Sequence, residues 1–449
     1  MINHLLNLIL GEESNNLTVT GTGSLRSVFP VTDLAVAVLG AVGTAVNDLL
    51  EASEHRSGEI AVDRHRASAW FASSIRPHGW SLPSAWDPLA RDYRTVDGWI
   101  RLHTNVPAHR RAALSVLHVL DDPHSVSAAV GRWSGSELER AIIDAGGCAA
   151  HMQTRAQWES SVPGRSVASE PLIHWDHAGS SAFLPRITDP SQPLAKVRVL
   201  DLTHVLAGPV ATRFLALMGA DVLRIDPPWW EEPALIPDVM MGKRSTRLDL
   251  RTPGNREKFL TLLSGADVLV HGYRPGALHK LDLGHAVRQN TRPGLIEVGL
   301  NAYGWSGPWS TRRGFDSLVQ MSTGIAETSM AVTRSERPVP LPVQAIDHAT
   351  GYLMAYATLR ALTRVIQTGE GSCARVSLAR TAQLLTEIGP CRVEGGMRED
   401  DQSDLATGVE LTSWGPARRI KPPLSVSGVC FQTRIPARAL GSDTLTWRE

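Results

Sequence analysis

Apolar positions follow two different rhythms along this chain. From Lys196 onward, short runs rich in β-branched residues and leucine alternate with helical stretches. Lys196–Leu202, Ala220–Asp226, residues 245–250, Ala266–Gly272 and Pro293–Gly304 read as strands. Between them, Ala211–Met218 behind Pro209 and Asn255–Leu263 read as helices, ended by Gly219 and Gly265. Strand and helix alternating at this spacing predict βαβ units, and hence an α/β fold with a Rossmann-like, doubly wound parallel sheet. The first 170 residues are patterned differently. They show a long apolar helix over Leu34–Ala52, a short strand Gly58–Asp63, and helical stretches interleaved with Trp70, Trp80, Trp86, Trp99, Trp133 and Trp158. The stretch Gln157–Gln192, with its Pro, Ser and Gly content, reads as connecting chain.

An internal repeat links the two regions. When the segment from Thr32 is laid on that from Ile346, Asp33 falls on Asp347 and Val62 on Val376 without a gap, a constant offset of 314 residues. Both copies read as an acid, a long apolar helix, a glycine-containing turn and a short strand. The pattern alone leaves duplication and a chance match both open.

Composition narrows the classes. The 449 residues carry 45 basic and 45 acidic side chains, which argues against a charge-driven partner such as nucleic acid or an anionic membrane surface. With 43% hydrophobic residues the chain is long enough for two or more lobes. Cys148, Cys373, Cys391 and Cys430 show no C-x-x-C spacing, and His103, His109, His118 and His124 are scattered. Neither a zinc site nor a disulfide framework is expected, and a cytoplasmic setting fits. No targeting segment and no window of the ~20 apolar residues of a membrane span is expected.

Five ordered blocks, residues 199–226, 242–278, 300–324, 344–362 and 368–385, resemble the core of the family III CoA-transferases, the group that includes formyl-CoA and carnitine CoA-transferases. Residues 92–105 and 133–158 resemble the smaller, mixed α/β lobe that in ordinary members follows the catalytic-aspartate helix; here they come first. The resemblance therefore implies rearranged halves: a second-half-like region at 1–170, a linker at 171–194, a CoA-binding core at 195–390 and a C-terminal extension at 391–449.

The implied reaction moves CoA between two carboxylic acids, with acyl-CoA and a free acid as substrates and no metal. Such a reaction needs a carboxylate that can hold first an acyl group and then CoA. The family's aspartate matches Asp347, next to a helix amino terminus. Read without the resemblance, Asp347 is a helix N-cap, and Asp33 reads the same way. Leu206 and Ala207 match the loop near the thioester, whereas Lys243, Arg244, Tyr273, Arg274 and Gly276 match positions near the nucleotide part of CoA. Leu206 stands where formyl-CoA transferase has glutamine, which puts formate and oxalate in doubt. Trp229 and Trp230 either shape an acyl pocket or pack beside it. Two alternatives stay open. Related racemases use a histidine in a Gly-His-Asp run, but this chain reads Gly314, Phe315, Asp316, and phenylalanine cannot carry a proton. A non-catalytic CoA-binding chain is the other. The resemblance also implies a homodimer, although repeated material within one chain could close part of that ring in cis.

Overall fold

The computed structural model describes residues 1–13, 16–183, 185–392 and 395–448. Its centre is a seven-stranded sheet in the order Arg244–Arg247, Asp221–Asp226, Arg198–Leu202, Val268–His271, Ile296–Asn301, Glu370–Ser377 and His174–Ser180. The first six strands are parallel. They are short and almost wholly buried, as strands covered by helices on both faces must be. The strand order reverses between Arg198–Leu202 and Val268–His271, so the loops after these two strands open a crevice at their carboxyl ends.

The seventh strand departs from expectation. His174–Ser180 lies inside the expected linker but pairs antiparallel with Glu370–Ser377. Its sequence, HWDHAGS, has an edge strand's polarity, exposed at most positions, and so lacks an apolar signature. Leu184 of that stretch lies outside the described residues.

The amino-terminal region holds the smaller mixed lobe. Asp92–Arg94, Trp99–Leu102 and Ala149–His151 form an antiparallel sheet covered by the helices Pro107–Leu117, Pro123–Val130 and Gly135–Asp144. Trp99, Cys148 and Ala150 of this lobe pack on Leu318 and Met321 of the core.

The 314-residue repeat is structural. The helices Val31–Ala52 and Ala345–Thr368 begin at matched positions, as do Arg64–Ala72 and Leu378–Ile388. The residues before the two long helices share one backbone geometry, φ −76°, ψ 61° at Pro30 and φ −73°, ψ 64° at Gln344. The strands that follow each have a parallel neighbour on one side and an antiparallel one on the other. The two long helices pack together in one apolar core, and Arg360 pairs with Asp48 across them.

Val31–Ala52 also corrects the expectation that no segment has the length and apolarity of a membrane span: its 22 residues suffice on both counts. Its most apolar stretch is 78% buried inside the protein, where the long helix of the second copy covers it. The extension after residue 391 adds strands to the amino-terminal region. Gly415–Arg419 pairs with Ile75–Pro77, and Leu424–Val426 with Ile60–Asp63. Trp447 then reaches the core, donating to Leu262 O at 3.0 Å.

Candidate active site

Asp347 is the third residue of the helix Ala345–Thr368 and is 6% exposed. It is therefore inside the helix rather than capping it. The capping oxygen comes from another element: Asp316 Oδ2 accepts from the backbone N–H groups of Ile346 at 2.9 Å and Asp347 at 3.0 Å, while Oδ1 accepts from Gln320. Two buried carboxyl groups thus sit side by side. Burial and the neighbouring Asp316 raise the pKa of Asp347 well above the usual carboxylate range, and burial raises that of Asp316 to about 6.

Asp347 faces a cavity of about 290 Å³ at the sheet's reversal point. Leu206 and Ala207 form one wall, at the start of the helix Ala207–Leu217, whose amino end has no side-chain cap. That wall can lie against Asp347 because Gly351 has no side chain: a Cβ there would stand 2.4 Å from Ala207 O. The preceding residue, Val205, is held at φ 65°, an uncommon conformation for a β-branched side chain, and its N–H donates to Glu232 Oε1 at 2.5 Å. Glu232 is in turn fixed by Arg224, which also grips Asp226. The rings of His204 and Trp230 lie against each other, tilted by 36° with centroids 4.4 Å apart, and both line the cavity.

Lys243 and Arg244 do not reach this cavity, which corrects their expected place beside the nucleotide. Lys243 is fully buried and donates to Asp201 Oδ2 at 3.1 Å, Thr212 Oγ1 at 2.8 Å and Pro209 O at 3.1 Å. Burial lowers its pKa to about 8. Its contacts place it as the tie that holds the Leu206–Ala207 helix to the end of a central strand. Arg244 forks onto Asp221 and donates to Thr446 O at 2.6 Å, away from the crevice.

Arg274 lines the Asp347 cavity, a neighbouring cavity of about 410 Å³ beside the small lobe, and a third of about 460 Å³ that Tyr273 and Gly276 also line. Trp229 is 55% exposed and packs under Arg251 outside all three, so only Trp230 belongs to the site.

Several residues of the site were not anticipated. Arg313 lines the Asp347 cavity and, like Arg274, forms no ion pair with a carboxylate among the described residues; each instead donates to a backbone carbonyl, Gly146 O and Thr311 O respectively. Arg312, by contrast, is tied to Glu139 at 2.7 Å and lies over Trp309. His109 reaches the same cavity from the amino-terminal lobe, 7% exposed. Burial and the charges of Arg313 and Arg274 push its pKa down to about 4. Its only sequence signal was a Pro at the start of its helix, because the approach of a separate lobe is not written in local spacing. Phe315 stacks on His103 at 3.6 Å.

Asp33 has no such setting. Arg64 pairs with it at 2.5 Å, and Arg64 occupies the repeat position of Leu378, which lines the Asp347 cavity. Asp33, too, is the third residue of its helix and not its cap.

Residues 194–408 match CoA-transferase family III. The chain is 33% identical over 205 residues to a protein of Mycobacterium tuberculosis named "Probable fatty acyl-CoA transferase", covering 42% of this chain and 52% of that one. It is 31% identical over 215 residues to the alpha subunit of succinyl-CoA–L-malate CoA-transferase of Chloroflexus aurantiacus, covering 44% and 50%. It is 32% identical over 198 residues to the succinyl-CoA:glutarate CoA-transferase of Mus musculus, covering 41% and 44%. The chain thus spans about half the length of these relatives. A crystal structure of a Mycobacterium tuberculosis protein superposes with a TM-score of 0.40 at 32% identity, over 45% of this chain and 58% of that one.

Proposed function

We propose, from the match of residues 194–408 to CoA-transferase family III, that the chain moves CoA between carboxylic acids through a covalent intermediate on Asp347. The observation that carries this reading is the placement of Asp347 at the wall of a cavity that Arg274 and Arg313 also line, two guanidinium groups without carboxylate partners among the described residues.

In the proposed sequence Asp347 first loses its proton to solvent. That step comes before an acyl-CoA excludes water, because desolvation favours the neutral carboxyl. The carboxylate attacks the thioester carbonyl; a C–O bond forms, the C–S bond breaks, and a mixed anhydride and CoA thiolate result. The thiolate then attacks the aspartyl carbonyl, releasing the donor acid and leaving an aspartyl-CoA thioester. The acceptor carboxylate attacks that thioester, expelling CoA thiolate and forming a second mixed anhydride; the thiolate attacks its acyl carbonyl, the C–O bond breaks, and acyl-CoA and the free Asp347 carboxylate result. The developing oxyanions are served by the uncapped N–H groups at the start of the Ala207–Leu217 helix, while Arg274 and Arg313 hold CoA phosphates.

A second reading, proton exchange at the carbon next to the thioester, draws on His109, which lines the same cavity as Asp347. Mass spectrometry after incubation with acyl-CoA esters and hydroxylamine separates the two. A hydroxamate on the peptide containing Asp347, absent from Asp347→Ala, supports transfer. Deuterium uptake by the ester without that modification supports the second reading, and neither signal from esters that bind supports a non-catalytic chain. A homodimer and a cytosolic setting are part of the proposal; light scattering checks the former.

A further inference from the structure

A second cluster of chemistry lies on the sheet face away from Asp347. Glu297 and Cys373 are register partners on adjacent parallel strands, so their side chains leave the sheet on the same face. The helix His285–Thr291 crosses above them and sets His285 Nδ1 3.3 Å from Glu297 Oε1. The ligand atoms of His285, Glu297 and Cys373 all lie within 4.8 Å of one another. All three line the cavity of about 460 Å³, and so does His271, which is 9% exposed and whose Nδ1 has no hydrogen-bond partner. Room is kept there by Gly299, the register partner of His271: a Cβ at that position would stand 3.2 Å from both the His271 and Trp305 rings.

We propose that this cluster binds a divalent cation of the zinc class through Cys373 Sγ, His285 Nδ1 and Glu297 Oε1, with a water in the fourth position hydrogen-bonded to His271 Nδ1. A thiolate, an imidazole and a carboxylate form a donor set suited to zinc, and tetrahedral bonds of ordinary length place neighbouring ligand atoms about 3.3–3.7 Å apart. The His285–Glu297 pair already has that spacing. Arg288 donates to Glu297 Oε2 from Nε at 3.0 Å and Gln289 Nε2 donates to Oε1 at 3.0 Å, so both orient the carboxylate as supporting groups do, and Oε1 keeps a second lone pair for the ion. Of the other arginines lining this cavity, Arg375 is paired with Asp176 and Arg274 donates to Thr311 O. Binding releases the Cys373 thiol proton to solvent. The ion would tie the His285 helix to two strands beneath the Tyr273–Gly276 loop, which carries Arg274. Spacing along the chain could not show this, because the three ligands come together only through strand register.

Titration of the chelator-treated full chain with Co²⁺ tests the proposal without recourse to activity. The expected result is one Co²⁺ per chain at micromolar concentration, with a thiolate-to-cobalt absorption band in the near ultraviolet and displacement by Zn²⁺. Cys373→Ser is expected to lose the band. His285→Ala, at a half-exposed position that tolerates truncation, is expected to bind at least about tenfold more weakly, and His271→Ala about 10–100-fold more weakly with the band retained. Absence of stoichiometric binding, or a band that survives Cys373→Ser, overturns the proposal.

Discussion

Asp347 and Asp33 occupy the same position on matched helices, and what separates them is the residue opposite: Leu378 for one, Arg64 for the other. An aspartate left without a cation in a buried site holds its proton. A carboxyl whose pKa is raised by folding contributes its full stability below the unfolded value near 4 and loses it as pH rises through the folded value. Asp347→Asn is therefore expected to match wild type in urea unfolding at pH 4 and to exceed it by about 1 kcal/mol or more at pH 8, while CoA transfer falls ~10³-fold or more. Loss of stability in the variant at pH 8 would contradict the placement of this carboxyl. Arg274→Ala is expected to raise KM for the CoA ester about tenfold, the cost of one charge-assisted contact, and to leave unfolding nearly unchanged. Asp347, Leu206, Ala207 and Arg274 were named from matched blocks, and the structure gathers all four at one cavity. His109 and Arg313 were not: the first arrives from a distant lobe, and an unpaired arginine looks like any other in a sequence.

The elements of the core were easier to read than its side chains. Buried parallel strands announce themselves as short apolar runs, and all five expected ones form, whereas the seventh strand hides in a polar segment because an edge need only offer its backbone. Two contacts between elements fix the geometry of the site. Gly351 lets the helix Ala207–Leu217 lie against the aspartate helix, so Gly351→Ala should push them apart, costing about 1–3 kcal/mol in thermal or urea unfolding and a larger share of the activity. Lys243 joins that same helix to Asp201. Lys243→Met leaves Asp201 buried without its cation, and destabilisation by about 3–5 kcal/mol is expected. A raised KM with unchanged stability would return Lys243 to the nucleotide role read from the motif. The sequence alone could not decide between the two, since a lysine in a glycine-rich loop looks the same whether it faces solvent or a buried acid.

At the scale of the molecule, the amino-terminal region completes the core. The small lobe supplies His109 and Val106 to the cavity, the helix Val31–Ala52 covers the apolar face of the aspartate helix, and the extension after residue 391 adds strands beside Ile75–Pro77 and Ile60–Asp63 of the first region. A chain that starts at residue 171 should accordingly expose that apolar face, bind a hydrophobic dye and aggregate, and co-expression of residues 1–170 should restore solubility. The repeat was visible as a 314-residue offset, but its meaning was not, because a helix-turn-strand unit recurs by chance; matched backbone angles and matched sheet neighbours are what make it a duplication. With Arg64 at the repeat position of Leu378, Asp33 is ion-paired where Asp347 faces a cavity. Under the proposed reaction each chain then has a covalent capacity of a single equivalent, so an acylation burst should level off at one per chain despite two aspartates in matched positions.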